Sequence, residues 1–168
     1  ARAAEATAVG RDATANDIES TAIGSASEAF GVQSTAIGSQ ASASGIGATA
    51  TGAEAEATGD YSSAYGQQAS AVGERTTALG NRSSAEGFGA TALGFRAQAR
   101  DEDALAVGRD ATANDVQSVA IGNDSAAFGV QSTAIGSLAT SIGIGATATG
   151  AEAEANGDYS SAYGQQAS

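Results

Sequence analysis

Glycine recurs at every seventh residue of this chain, and few folds can accommodate that. Of the 24 positions in the series 3, 10, 17 and onward, 20 are Gly, the exceptions being Ala3, Asp17, Asp101 and Asp115; only Gly47, Gly89 and Gly145 fall off the series. Two residues before each series position stands Ala, with Ser141 as the single exception, and three residues after it stands Ala, Ser or Thr without exception. A repeat this strict governs the whole chain and is read before anything else.

The full period is 14. Before alternate glycines stand Val9, Ile23, Ile37, Thr51, Tyr65, Leu79, Leu93, Val107, Ile121, Ile135, Thr149 and Tyr163. The interleaved set is Arg2, Asn16, Phe30, Ser44, Thr58, Val72, Glu86, Arg100, Asn114, Phe128, Ile142 and Asn156, mostly polar. A larger duplication overlies this: residues 8–70 and 106–168 align at an offset of 98, seven whole 14-mers, with 11 differences in 63 positions, Ile18/Val116 and Ser44/Ile142 among them. The expected organisation is a single repeat domain, 1–168, of about twelve 14-residue coils.

Composition narrows the choice of fold. Ala numbers 43 and Gly 23, whereas Leu, Ile, Val and Phe number only 4, 8, 7 and 4, and the net charge is −12. Such a chain cannot bury enough apolar area alone to offset its conformational entropy. It is either disordered, or it stacks repeats and shares apolar surface with partner chains. A heptad coiled coil fails, because Gly every seventh residue costs about 1 kcal/mol each in a helix and no Leu-rich seam exists. A parallel β-solenoid fits, with two short strands per coil, each of four or five residues closed by a Gly turn and paired with its equivalent one coil on.

Alternation along a strand then assigns faces. The invariably small positions line the interior, so Ile23, Ile37, Leu79, Leu93, Val107, Ile121 and Ile135 point away from their own chain. With Val9, Tyr65 and Tyr163 of the same series, and Val119 of the flanking Thr ladder, they form an apolar stripe that soluble monomers rarely expose. These eleven residues are the expected interface of an oligomer. The turn residues Ile18, Val32, Ile46, Phe88, Val116, Val130 and Ile144 extend the apolar surface. In the opposite arrangement the large residues fill the interior and Ala lies outside, which leaves an all-Ala face unexplained.

The residue inventory excludes several chemistries. His, Cys and Lys are absent, which removes the imidazole base, the thiolate nucleophile, Cys/His zinc sites, the Schiff base and the P-loop. Seven Arg against nineteen carboxylates argue against nucleic acid as a partner. Glu54/Glu56 and Glu152/Glu154 read as pairs on one strand face, yet a convex rod offers no cleft for two-carboxylate hydrolysis. Asp17, Asp101 and Asp115, at Gly positions, read as distorted turns rather than calcium ligands. No catalytic residue, cofactor or metal is expected. Phe30, Phe88, Phe95, Phe128, Tyr61 and Tyr159 are candidate outward aromatics; a ligand surface is not assignable. No apolar run reaches membrane-spanning length, no signal peptide is read, and an opening Ala1-Arg2-Ala3 without Met reads as an excised fragment.

Glu19-Ser-Thr-Ala-Ile-Gly24, Gln33-Ser-Thr-Ala-Ile-Gly38, Gln117-Ser-Val-Ala-Ile-Gly122 and Gln131-Ser-Thr-Ala-Ile-Gly136 closely resemble the NSVAIG-type repeat of YadA-like trimeric autotransporter adhesin heads. The resemblance implies an all-β, left-handed parallel β-roll, three of which associate around a threefold axis. General crossover geometry favours the right hand, so the left hand comes from the family alone. It further implies exposure on the outer membrane of a Gram-negative bacterium and attachment to a host matrix protein or cell-surface receptor, with no direct membrane contact by this segment. Stalk heptads and a membrane barrel are absent from this stretch. Glu or Gln replaces the motif's Asn, and Thr its Val in three of four copies, which counts against collagen as the ligand. The alternative function is an ice-binding solenoid built on Thr49/Thr51 and Thr147/Thr149.

Overall fold

The computed structural model describes residues 3–168; Arg2 of the interleaved set lies outside them. The described chain is all-β and winds as a parallel roll. One sheet holds 12 three-residue strands, from Thr7–Val9 to Ser161–Tyr163; the other holds 11 two-residue strands, from Thr14–Ala15 to Glu154–Ala155. Each strand pairs in parallel with the strand one coil on, in register of 14: Thr21↔Thr35, Ala22↔Ala36 and Ile23↔Ile37 in the first sheet, Glu28↔Ser42 and Ala29↔Ala43 in the second. Twelve rungs at roughly 4.8 Å make a rod on the order of 55–60 Å long.

The interior is a methyl-lined slot. Ala22, Ala29, Ala36 and Ala43 are fully buried, as are the small residues three after each glycine, such as Ser27, Ser34, Ala41 and Ala48. The largest fully buried side chain is that of Thr76. The arrangement with large residues inside is therefore wrong: every Ile, Leu, Phe and Tyr of the described chain keeps solvent contact.

The strands are shorter than four or five residues, because the turns take more of each half. After the glycine comes one residue, then a residue in the left-handed region, then the inward small residue, which is buried but outside the ladder. Twenty-one non-glycine residues adopt this left-handed conformation, among them Ala26 (φ 54°), Gln33 (φ 59°) and Leu138 (φ 60°). The conformation costs a non-glycine residue roughly 1–3 kcal/mol. From Glu19 on, each such residue also donates its N–H to the previous coil, as Ala26 does to the Arg11 carbonyl (2.8 Å) and Gln33 to the Ile18 carbonyl (2.9 Å). The ladder thus continues through the turns. The three glycines off the series, Gly47, Gly89 and Gly145, occupy this left-handed place, with φ of 63–69°.

The two glycine series differ physically. After a first-sheet strand the glycine has φ near +136°, as in Gly24 and Gly38, and a Cβ on Gly38 would lie 2.3 Å from the Gly52 carbonyl oxygen of the next coil. After a second-sheet strand no described residue of the series has a left-handed φ, and all four exceptions, Ala3, Asp17, Asp101 and Asp115, fall there. The Asp turns are not distorted. Ser20 N–H bonds the Asp17 carbonyl at 3.1 Å and Ser118 N–H the Asp115 carbonyl at 3.0 Å, as Ser34 bonds Gly31 at 3.0 Å. Asp101 additionally accepts the Glu102 N–H through Oδ1 at 2.8 Å.

Candidate functional surface

In-register stacking turns each sequence position into a column along the rod. The outer face of the first sheet carries Val9, Ile23, Ile37, Tyr65, Leu79, Leu93, Val107, Ile121, Ile135 and Tyr163 in one column, interrupted by Thr51 and Thr149. Val119 stands in the neighbouring Thr column, paired with Leu105 and Thr133. Seven of the eleven are exposed, Ile23 to 39% and Leu79 to 49%; Leu93, Val107, Val119 and Ile121 are half-buried by their rung neighbours. All eleven thus share one outer face.

A second apolar column follows the other turn: Ile18, Val32, Ile46, Phe88, Val130 and Ile144 are exposed and Val116 is half-buried. Phe30, Val72, Phe128 and Ile142 are exposed on the second sheet's outer face, so that face mixes apolar and polar side chains. Tyr61 and Tyr159 crown two identical devices. Their rings lie over Gly47 and Gly145 of the preceding coil, where a Cβ would come within 3.1 and 3.0 Å of the ring. Beside them Asp60 and Asp158 accept the N–H groups of Ile46 (2.8 Å) and Ile144 (2.9 Å).

Polar side chains at the left-handed turns form ladders that sequence reasoning missed. Gln33 donates to Glu19 (2.8 Å), Gln68 to Glu54 (2.8 Å), Gln166 to Glu152 (3.0 Å) and Gln131 to Gln117 (3.0 Å), each across one coil. The recurrence of Glu and Gln at a spacing of 14 was the available signal. These ladders also correct the reading of the carboxylate pairs: Glu54 and Glu152 sit in turns, while Glu56 and Glu154 open strands. Among the described residues no enclosed cavity exists and no group of three acidic side chains converges. Paired outward Thr columns coincide only at Thr49–Thr51 and Thr147–Thr149, so no continuous threonine plane, as ice binding needs, is present.

A parallel roll with a small-residue slot, an apolar outer column and no cleft defines a solenoid that works through its outer surface. The profile of the YadA head domain repeat (two copies) matches residues 1–27, 29–55, 57–83, 85–111, 101–125, 113–139 and 141–167. The chain belongs to the YadA head family, and is a repeat module of the adhesin type. Among solved structures it is similar to the collagen-binding domain of the Yersinia adhesin YadA, with a TM-score of 0.55 and 20% identity, covering 94% of this chain and 79% of that one. At that identity the likeness speaks to fold. Among curated proteins nothing matches.

Proposed function

We propose that the chain is a non-catalytic adhesin head, displayed on the outer membrane of a Gram-negative bacterium, that attaches the cell to host matrix or to a cell-surface receptor. The observation that carries this reading is the family match along the chain. Three copies associate through the column running from Val9 to Tyr163. Burying an Ile or Leu contributes roughly 1.5–3 kcal/mol each, which the Ala interior cannot match, so assembly supplies the missing core. Each contact to a host molecule is weak, and repetition along and around the rod converts it into avidity. No concave ligand site is needed for this, and equivalent side chains return every coil.

The test is direct. Purified head, its oligomeric state measured by light scattering, is applied to immobilised collagens, fibronectin and laminin and to cultured host cells. Saturable attachment to at least one matrix protein or cell type is expected, stronger for the assembled form than for single chains. Absence of attachment to every surface at high head density overturns the reading.

A further inference from the structure

The seven Arg are unevenly distributed. Copy 8–70 carries one Arg against seven carboxylates and copy 106–168 one against six, whereas residues 71–105, which have no duplicate, carry four Arg against five carboxylates. Within this belt most charges separate across the width of the rod; the exception is Glu86, which precedes Arg100 by one coil in the same column. Arg82 and Arg96 occupy the left-handed place of the turn after the first-sheet strand on consecutive coils. Arg100 is exposed just after the strand Gln98–Ala99 that this turn feeds, and Arg109 stands in the same turn one coil on. Asp101, Glu102 and Asp103 lie on the opposite turn, as do Glu74 and Arg75, which pair with each other at 3.6 Å.

The guanidiniums on the basic edge are held largely by neutral groups. Arg82 Nε donates to Gln68 Oε1 (2.9 Å); Arg100 donates to Gln98 Oε1 (2.6 Å) and Asn114 Oδ1 (2.8 Å). Neither has a carboxylate within ion-pair distance among the described residues, and Arg96 reaches Asp110 only at 4.0 Å while lying over the Phe95 ring at 5.0 Å. Arg109 is the compensated member, 3.9 Å from Asp110 and 3.4 Å from Asp124. Amides that orient a guanidinium without neutralising it leave a preorganised fork, whose geometry suits a bidentate oxyanion.

We infer that the edge formed by Arg82, Arg96 and Arg100 binds sulfated glycan chains of the host matrix, an assignment that rests on the adhesin reading above. Sulfate oxygens take two parallel N–H bonds from each fork. The edge is short and bounded by carboxylates: in the same turn column Glu54 lies two coils before Arg82, about 10 Å at the ~4.8 Å rung spacing, and Asp110 and Asp124 follow Arg96. A nucleic-acid duplex, with a charge per ~1.7 Å, meets those carboxylates if it lies along the rod, whereas a single glycan strand crossing the belt meets the guanidiniums. Asp110, at 4.0 Å, offsets part of the Arg96 charge, whereas Glu54, about 10 Å from Arg82, lies beyond the roughly 8 Å over which physiological salt leaves charges unscreened.

The probe is heparin immobilised on a column or sensor at about 0.15 M salt, with desulfated heparin as the reference. The native head is retained by heparin and not by the desulfated form. Arg82→Gln with Arg100→Gln weakens retention about tenfold or more, whereas Arg11→Gln with Arg75→Gln, which removes the same charge elsewhere, leaves it within about twofold; matched thermal melts establish that both fold. No retention of the native head overturns the inference. So does equal weakening by both double variants, or displacement of heparin by a short DNA duplex at equal concentration. A head that fails on heparin yet attaches to matrix proteins loses only the glycan site. A head that binds heparin but attaches to no cell or matrix protein overturns the adhesin reading, and with it the assignment to host glycans.

Discussion

Alanine at zero exposure on rung after rung leaves almost no room between the two sheets, and the coils stack as closely along the rod, which is why glycine is not interchangeable along the chain. At Gly38 two constraints coincide: φ is +136°, and a Cβ would stand 2.3 Å from the Gly52 carbonyl oxygen, an immovable backbone atom. At Gly47 φ is +63°, a value that 21 other side chains already tolerate, and a Cβ would meet only the Tyr61 ring at 3.1 Å. Gly38→Ala is therefore expected to destabilise by more than the roughly 1–3 kcal/mol of backbone strain alone, and Gly47→Ala by no more than that strain once the ring shifts. Thermal melts of the two variants side by side decide it; equal losses mean that rung contact does not set the glycine period. In the second-sheet series a Cβ would meet the next coil just as closely, 2.0 Å from the Gly45 carbonyl oxygen at Gly31, so it is the absence of a left-handed φ that marks the series in which Asp replaces glycine.

The strand is the element that sets the assembly. Each first-sheet strand contributes one inward Ala and two outward side chains, so an outward charge falls on the proposed interface and not in the slot. Asp at Ile37, Leu93 and Ile135 is expected to put unpaired carboxylates into the apolar contact, and the chain should lose both its oligomeric state and its β structure. Asp at Ser44, Glu86 and Asn156, exposed on the other sheet, should leave both intact; light scattering with circular dichroism reads the two outcomes. A folded monomer from the first set shows that the column is not the interface. Which side chains face in and the register of pairing were legible because the strands alternate with period 2 and the coil repeats at 14. The strand lengths were not, because nothing in the period tells a ladder residue such as Thr35 from the buried turn residue Ser34 that precedes it. The amide–carboxylate ladders and the Arg edge escaped for a related reason: each needs neighbours 14 residues apart to be read as touching.

At the scale of the whole molecule, the duplication places near-identical surfaces at both ends of a rod and a different, unduplicated belt between them. If attachment is spread over many coils, deleting about residues 99–168 should weaken binding to matrix as contacts are lost, while any single exposed substitution outside the belt changes it by less than about threefold. Binding isotherms on immobilised matrix protein test this, and one such substitution that abolishes attachment without unfolding the head contradicts it. The turns carry a further consequence. Their N–H groups bond the adjacent coil just as strand groups do, Gly24 to Val9 at 2.8 Å and Gln68 to Ala53 at 2.9 Å, so the interior of the rod offers no slack loop of the kind that proteases nick. A protease must unstack a whole coil before a peptide bond can enter its cleft. Resistance to proteolysis is thus governed by how often coils part, and an exposed arginine is no more cleavable than its rung is mobile.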